Sequence, residues 1–338
     1  MKAIASFVLL ALCSATASAT VIIDMVPVGN PGNAPDTRYN ATGFGSVDHV
    51  YQIGKYEVTA GQYTDFLNAV AKDDPHGLYT FALGDPAVVS KGANIQRMGS
   101  SPNYSYSVAA DWANRPVNYV NFWDAARFAN WLHNGQPMGA QGPGTTEDGA
   151  YHDVGNQTLF GRSDGAKFFI PTEDEWYKAA YHDSTVGLAA SYFDYPTGTN
   201  SVPGNDVTET IHSDNNANYF INDYAIGSPY YRTSVGEFEL SASPYGTFDQ
   251  GGNLWEWNEN ALSGSSRGVR GGDFVYTPVN HLKASGRYNF NPNIKGFNYG
   301  FRVASIPEPN TLLLGVLAGI GLLWRTRALS SPHRGARQ

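Results

Sequence analysis

Cysteine is almost absent: the 338 residues hold one, Cys13. Any segment beyond it is without disulfides, thiolate nucleophiles or sulfur ligands for copper. Charge is also sparse, at 15% Asp, Glu, Lys and Arg, and it is lopsided. Between positions 20 and 306 there are 17 basic and 29 acidic residues, a formal charge of −12. That balance argues against a nucleic-acid ligand, because Lys and Arg contacts to phosphate supply most of such affinity. It suits divalent cations and solubility outside the cell, or a solvated acidic surface with no partner. No fixed-period repeat occurs, and no Gly-x-x-x-x-Gly-Lys-Ser/Thr phosphate loop. The seven histidines from His49 to His281 include no His-x-His, His-x-x-His or His-x-x-x-Glu spacing that would supply an iron facial triad.

The two ends read as addresses. Lys2, the apolar run Phe7 to Leu12 and Ala17-Ser18-Ala19 form a secretory leader with cleavage expected after Ala19, which would remove Cys13. At the other end Pro307-Glu308-Pro309 precedes an apolar stretch from Leu312 to Trp324 and then Arg325, Arg327, Arg334 and Arg337. The arginines would hold that end of a transmembrane helix on the cytoplasmic side. The three parts resemble the PEP-CTERM sorting signal of Gram-negative bacteria. The resemblance implies an exosortase as processing partner, transient membrane association, and delivery through the inner membrane to the cell surface or extracellular matrix. A plain C-terminal anchor is the alternative. The division expected is leader 1–19, one domain 20–306 and sorting tail 307–338.

Within the domain, 37 Gly and 19 Pro in the whole chain with 13% aromatics indicate an irregular, loop-heavy fold held by aromatic clusters. Three helices are expected. Thr59 and Gln62 form a capping box for a helix to about Ala71, with Tyr63, Phe66, Leu67 and Val70 inward. A second helix spans Phe122 to Leu132 and ends at Asn134-Gly135. Thr172 and Glu175 box the start of a third, which buries Trp176, Ala179 and Ala180. Strands are expected at 51–58, 167–170, 267–269 and 301–304.

Gly252-Asn253-Leu254-Trp255-Glu256-Trp257, Arg270-Gly271-Gly272-Asp273-Phe274 and Gly300-Phe301-Arg302 occur in that order. Together they resemble the signature of the formylglycine-generating enzyme (sulfatase-modifying factor) family. Glu57-Val58-Thr59, Arg115-Pro116-Val117 with Trp123-Asp124-Ala125, and Pro171-Thr172-Glu173-Asp174-Glu175-Trp176 extend the likeness over Tyr51 to Ala304. The resemblance implies an α+β, loop-rich fold, a variant of the C-type lectin fold.

Asp249 to Glu256 is the strongest candidate site. Calcium takes six to eight oxygens from carboxylates and carbonyls, and glycines let the backbone wrap it. The family resemblance implies ligands at Asp249, Gly252, Leu254 and Glu256; a glycine turn without metal is the alternative. A weaker second calcium site is implied at Asn218 with Asp223. The copper-binding cysteines of the oxidase members correspond to Tyr276 and His281. Copper and formylglycine-generating activity are therefore not expected, and no catalytic residue is assigned. Arg270, Arg287 and Arg302 are read as braces for loops, or as the lining of an anion groove. Tyr104-Ser105-Tyr106 and Tyr230-Tyr231 would either fill the core or stack on sugars. The resulting expectation is a calcium-stabilised binding or structural module for an extracellular polysaccharide or exported protein. The alternatives are a divergent nonheme metal oxidoreductase and an assembly factor that keeps a peptide groove.

Overall fold

A computed structural model describes residues 20–85, 92–208, 214–275 and 278–307. The leader, the sorting tail after Pro307, and Tyr276 lie outside the described residues. Regular structure is short and widely spaced. In chain order it comprises β1 (Met25–Val28), β2 (Tyr51–Gly54), α1 (Ala60–Val70), β3 (Ile95–Met98), β4 (Ser105–Val108), α2 (Ala110–Ala113) and α3 (Phe122–His133). There follow β5 (Tyr151–His152), β6 (Gly161–Arg162), β7 (Phe168–Phe169), α4 (Glu173–Tyr181), β8 (Trp255–Ser263), β9 (Ser266–Arg270), β10 (Tyr288–Phe290), β11 (Tyr299–Gly300) and β12 (Ala304–Ser305). This is the mixed, loop-rich α+β architecture that the family resemblance implies.

The three helices start where their caps place them. Thr59 and Gln62 close a box on α1, and Thr172 and Glu175 close one on α4. A third box, Asn121 with Asp124, opens α3. Each satisfies two amides that the first helical turn would leave unpaired. Apolar spacing then decides which face goes inside. Tyr63, Phe66, Leu67 and Val70 of α1 are buried, and Phe66 meets Phe128 and Trp131 of α3 at 5.2 Å each. Phe128 in turn meets Phe301 at 5.4 Å, which ties this helix pair to the Gly-Phe-Arg string.

Two four-stranded sheets flank that core. One runs β1-β2-β12-β7, all antiparallel, with Ile53 opposite Ala304 and Ala304 opposite Phe169. The other runs β10-β9-β8-β11, with β11 parallel to β8. The strand expected over 51–58 stops at Gly54, where the chain doubles back so tightly that a Cβ would lie 2.9 Å from the Tyr56 carbonyl. The strand expected over 301–304 is regular only at Ala304–Ser305, because before it the carbonyls of Phe301 and Val303 accept from the amides of Val58 and Gly54 at separate points. The longest strand, β8, was not expected at all. It begins inside the Trp-Glu-Trp string and carries register shifts after Trp257 and Ala261.

Helix α4 shows how few charges organise this many loops. Its first turn holds three acids, which suit the positive end of a helix, and each reaches a different part of the chain. Glu173 takes Arg270 and Arg287, Asp174 accepts from the amide of Gly45 at 2.8 Å, and Glu175 pairs with His49 at 3.0 Å. The bond to Glu175 holds the His49 imidazole above its ordinary 6.5, against the opposing effect of burial. The pair therefore contributes in full below pH 6.5 and loses its effect as pH rises through the raised value. With the imidazole 42% exposed, the contribution stays below about 1 kcal/mol. Melting curves of wild type and His49→Gln should differ most near pH ~5.5 and converge by about pH 8; a gap that widens with pH would refute the assignment.

Candidate functional site

The loop Asp249–Glu256 sits between α4, β2 and the start of β8, and its geometry grows from one ion pair. Glu256 and Arg302 are both fully buried. Arg302 donates Nε to Oε2 and Nη2 to Oε1, each at 2.6 Å. Trp176 of α4 donates its indole N–H to Oε2 at 2.8 Å. The remaining guanidinium donors reach the carbonyls of Gly54 and Phe248, both at 2.9 Å. Burial lowers the Arg302 pKa, but the attraction and hydrogen bonds of Glu256 outweigh it and leave the value raised.

Upstream of Glu256 the backbone turns through three left-handed residues, Asp249 (φ 60), Gly252 (φ 85) and Asn253 (φ 56). Gly252 is required by a close approach: a Cβ there would stand 2.2 Å from the Asn218 carbonyl oxygen. That carbonyl accepts the Asn253 amide at 2.8 Å. Asn253 then links three segments, accepting from Asn218 Nδ2 at 2.9 Å and donating to Glu57 Oε2 at 3.3 Å. Glu57 is 2% exposed and its Oε1 has no partner. Burial, then the nearby Glu256 and Asp249 carboxylates, push its pKa far up, with Arg302 and Arg232 opposing. The sequence places Glu57 in a family string and Trp176 on the inward face of its helix; their roles here depend on long-range contacts that local spacing does not encode.

Asp249 accepts one hydrogen bond, from the Gly236 amide at 2.6 Å, and forms no ion pair with a described residue. Burial raises its pKa to about 6, with the Gly236 amide and Arg302 opposing. It lines a very small cavity, about 10 Å³, together with Gln250, Gly251, Asn216, Thr197 and Ser241. Among the described residues no donor is bonded to the carbonyl oxygens of Gly252 or Leu254. The donor set thus fits a hard cation: one carboxylate without a counter-charge, two open carbonyls, and a Glu256 oxygen that accepts a single bond. No group of three His, Cys, Asp or Glu side chains forms a metal site among the described residues. A cation at this loop would therefore depend on the backbone carbonyls.

For the second expected calcium pair, no bond joins Asn218 to Asp223, and the buried Asn218 Oδ1 has no hydrogen-bond partner among the described residues. Asn218 is 2% exposed, with its amide turned to Asn253 and the Tyr231 carbonyl. Asp223 is exposed and caps its own turn at Tyr224 N. Asn218 belongs instead to the Asp249–Glu256 loop, where it bridges Gly252. Of the two positions that correspond to cysteines, only His281 is described. Its ring packs against Trp255 at 5.2 Å and Tyr288 at 4.6 Å, and burial lowers its pKa with Asp273 opposing. Arg270 is fully buried, donating to Glu173 at 2.8 Å and to the Gly286 carbonyl at 2.7 Å. Arg287 shares the same carboxylate. All three arginines thus brace loops. The string Gly264-Ser265-Ser266-Arg267-Gly268 has the Gly-x-Ser-x-Gly spacing, but it lies at the antiparallel β8–β9 hairpin and lacks the strand-to-helix turn that such a nucleophile needs.

A family profile described as a sulfatase-modifying factor enzyme 1-like domain matches residues 26–306. Among solved structures, the chain is similar to the crystal structure of CarF, with 20% identity, a TM-score of 0.51, and coverage of 85% of this chain and 99% of that one. Treponema denticola variable protein 1 is similar at 20% identity and TM-score 0.49, covering 86% and 97% of the two chains. PvdO from Pseudomonas aeruginosa is similar at 19% identity and TM-score 0.45, covering 84% and 92%. No curated protein matches. At these identities the first of these structures shows a shared fold alone.

Removing one partner of a buried pair strands the other charge, at a cost of about 3–5 kcal/mol. Arg302→Met should therefore destabilise by that amount in denaturant unfolding, far more than Arg287→Met, whose side chain is 40% exposed. Equal losses for the two variants would remove Arg302 from its central position.

Proposed function

The chain belongs to the sulfatase-modifying factor enzyme 1-like family, and we propose that it is a member without the family's oxidase chemistry: an exported, calcium-braced module that binds a partner and does not transform it. One observation carries this reading, the oxygen-only donor set of the Asp249–Glu256 loop in a chain whose sole cysteine is Cys13. The side chains of Asp249 and Glu256 and the carbonyls of Gly252 and Leu254 are the groups that would hold calcium. Bound there, the ion supplies positive charge to a loop that otherwise concentrates carboxylates, and ties the left-handed turn to the start of β8.

A ligand held only by the folded state stabilises it by about 2.7 kcal/mol at a hundredfold excess over Kd. Chelator should therefore lower the melting temperature of wild type, and Asp249→Asn should melt at the same temperature with or without chelator. A wild-type curve unchanged by chelator, with calcium absent from the purified protein, would sink the site.

The noncatalytic half of the proposal has its own test. Oxidation of a substrate thiol through copper requires soft thiolate ligands, and an imidazole beside a phenol is a poor substitute. A Cys-x-Pro-x-Arg peptide incubated with the protein, copper and oxygen should keep its cysteine. Turnover that disappears in the Tyr276→Phe, His281→Ala double variant would make those two residues a working replacement and overturn the reading.

Export belongs to the same proposal, with the leader removed after Ala19 and an exosortase acting near Pro307 on the way to a Gram-negative cell surface or matrix. Mass spectrometry of the extracellular species should find Thr20 at the N-terminus and no terminal arginines. Retention of either end would contradict it.

A further inference from the structure

The residues that follow the proposed leader are held more firmly than the ends of most domains. Val21 is 6% exposed and belongs to the main core. Its amide donates to Gln136 Oε1 at 2.7 Å, and its carbonyl accepts from Gln136 Nε2 at 2.8 Å. One side-chain amide thus takes both backbone groups of one residue, as a neighbouring strand would. The next residue is held as well, since the Ile22 carbonyl accepts from Gln62 Nε2 at 2.8 Å. Gln62 Oε1 meanwhile accepts from the Thr59 amide in the capping box of α1, which ties this segment to the start of that helix. Thr20 is exposed.

Gln136 itself has little freedom. It takes the left-handed conformation (φ 60) just beyond α3, and its backbone amide donates to the Trp131 carbonyl at 2.9 Å. Trp131 is buried, and its indole donates to the Pro137 carbonyl at 3.0 Å. The clamp on Val21 therefore exists only once the end of α3 has packed, and it joins residues 115 positions apart. A chain that has not yet folded leaves Val21 free.

We infer that the leader is cut from this chain before the domain closes, because Gln136 clamps the backbone one residue beyond the bond to be cut. This order rests on the reading of residues 1–19 as a secretory leader. The cut adds water across the Ala19–Thr20 amide and leaves an Ala19 carboxylate and a Thr20 ammonium. A peptidase that holds its substrate as an extended strand grips it through backbone amides and carbonyls on both sides of that bond. On the product side the first two residues are Thr20 and Val21. In the closed domain Val21 has neither backbone group to give, and its side chain is inside. Thr20 alone separates the bond from fixed backbone. The folded chain must first open at Val21, and only the open fraction can be cut. Before folding no such opening is needed. A precursor that folds first therefore keeps its leader, and closure of the α3 end sets the limit for processing.

The rate at which a bacterial leader peptidase cuts the folded full chain, leader intact, tests this against a synthetic peptide of residues 8–32 in the same nonionic detergent. Three backbone hydrogen bonds and one buried valine oppose the opening, so the folded chain should be cut about a hundredfold more slowly than the peptide. A Gly-Ser-Gly-Ser insert between Thr20 and Val21 keeps the clamp but moves the bond away from it. That variant, folded, should be cut within about threefold of the peptide rate. Gln136→Ala frees Val21 and should speed cutting of the folded chain about tenfold. If Gln136→Ala does not fold, the insertion carries the test alone. Folded wild type cut at the peptide rate overturns the inference, as does resistance that persists in the folded insertion variant or in folded Gln136→Ala. A peptide left uncut after Ala19 overturns the leader reading itself, which separates failure of that premise from failure of the clamp.

Discussion

The fold depends on keeping one ion pair dry. Glu256 and Arg302 lie 46 residues apart and neither is exposed. Taking two such charges out of water costs several kcal/mol for each, which mutual attraction offsets only when the remaining donors and acceptors are also used. Here they are. The carboxylate also holds the Trp176 indole, and the guanidinium holds two carbonyls from the β2 end and the Phe248 region. Each of those contacts fixes a segment with little regular structure of its own. Helix α4, the end of β2, the loop before Asp249 and the chain entering β12 are positioned by a single pair of side chains.

That arrangement leaves a local excess of negative charge. The Glu256 and Asp249 carboxylates raise the proton affinity of Glu57, Glu256 raises that of Asp249, and of these three acids Glu256 is the one in an ion pair among the described residues. Two ways of relieving the excess are open. Glu57 sits in the drier environment, where uptake of a proton is the less costly route. Asp249 faces a cavity and neighbours two free carbonyls, where a hard cation meets its preferred ligands. The proposed calcium would thus go to the shallower acid and a proton to the deeper one, a division by position, since the two side chains carry the same functional group.

Much of this was legible in the sequence, and the divide between what was and was not is physical. Capping boxes at Thr59 and Thr172 are local, so three residues suffice to place a helix start. The inward faces of α1 and α4 follow from the 3.6-residue repeat in the same way. Strand β8 was hidden because Trp255-Glu256-Trp257 alternates two buried rings with a buried carboxylate, and the carboxylate's partner lies far along the chain. The contacts of Asn218 are hidden from the sequence for a similar reason. The acid expected beside it, Asp223, turns outward, while its partners Asn253 and Gly252 are more than thirty positions away. Local signals predicted local structure, and the site is assembled from contacts that no local signal reports.

The fold's stability also explains how it can persist without sulfur chemistry. Among the described residues, none of the contacts of the Glu256–Arg302 node, the α4 acids or the α1–α3 ring cluster involves His281. His281 sits at the edge of an aromatic group with Trp255 and Tyr288 and forms no ion pair among the described residues. The residue at His281 can therefore change with little consequence for the core, provided that it packs. The arginine braces cannot change in this way, because each satisfies a buried acid: Arg270 and Arg287 share Glu173, and Arg302 holds Glu256.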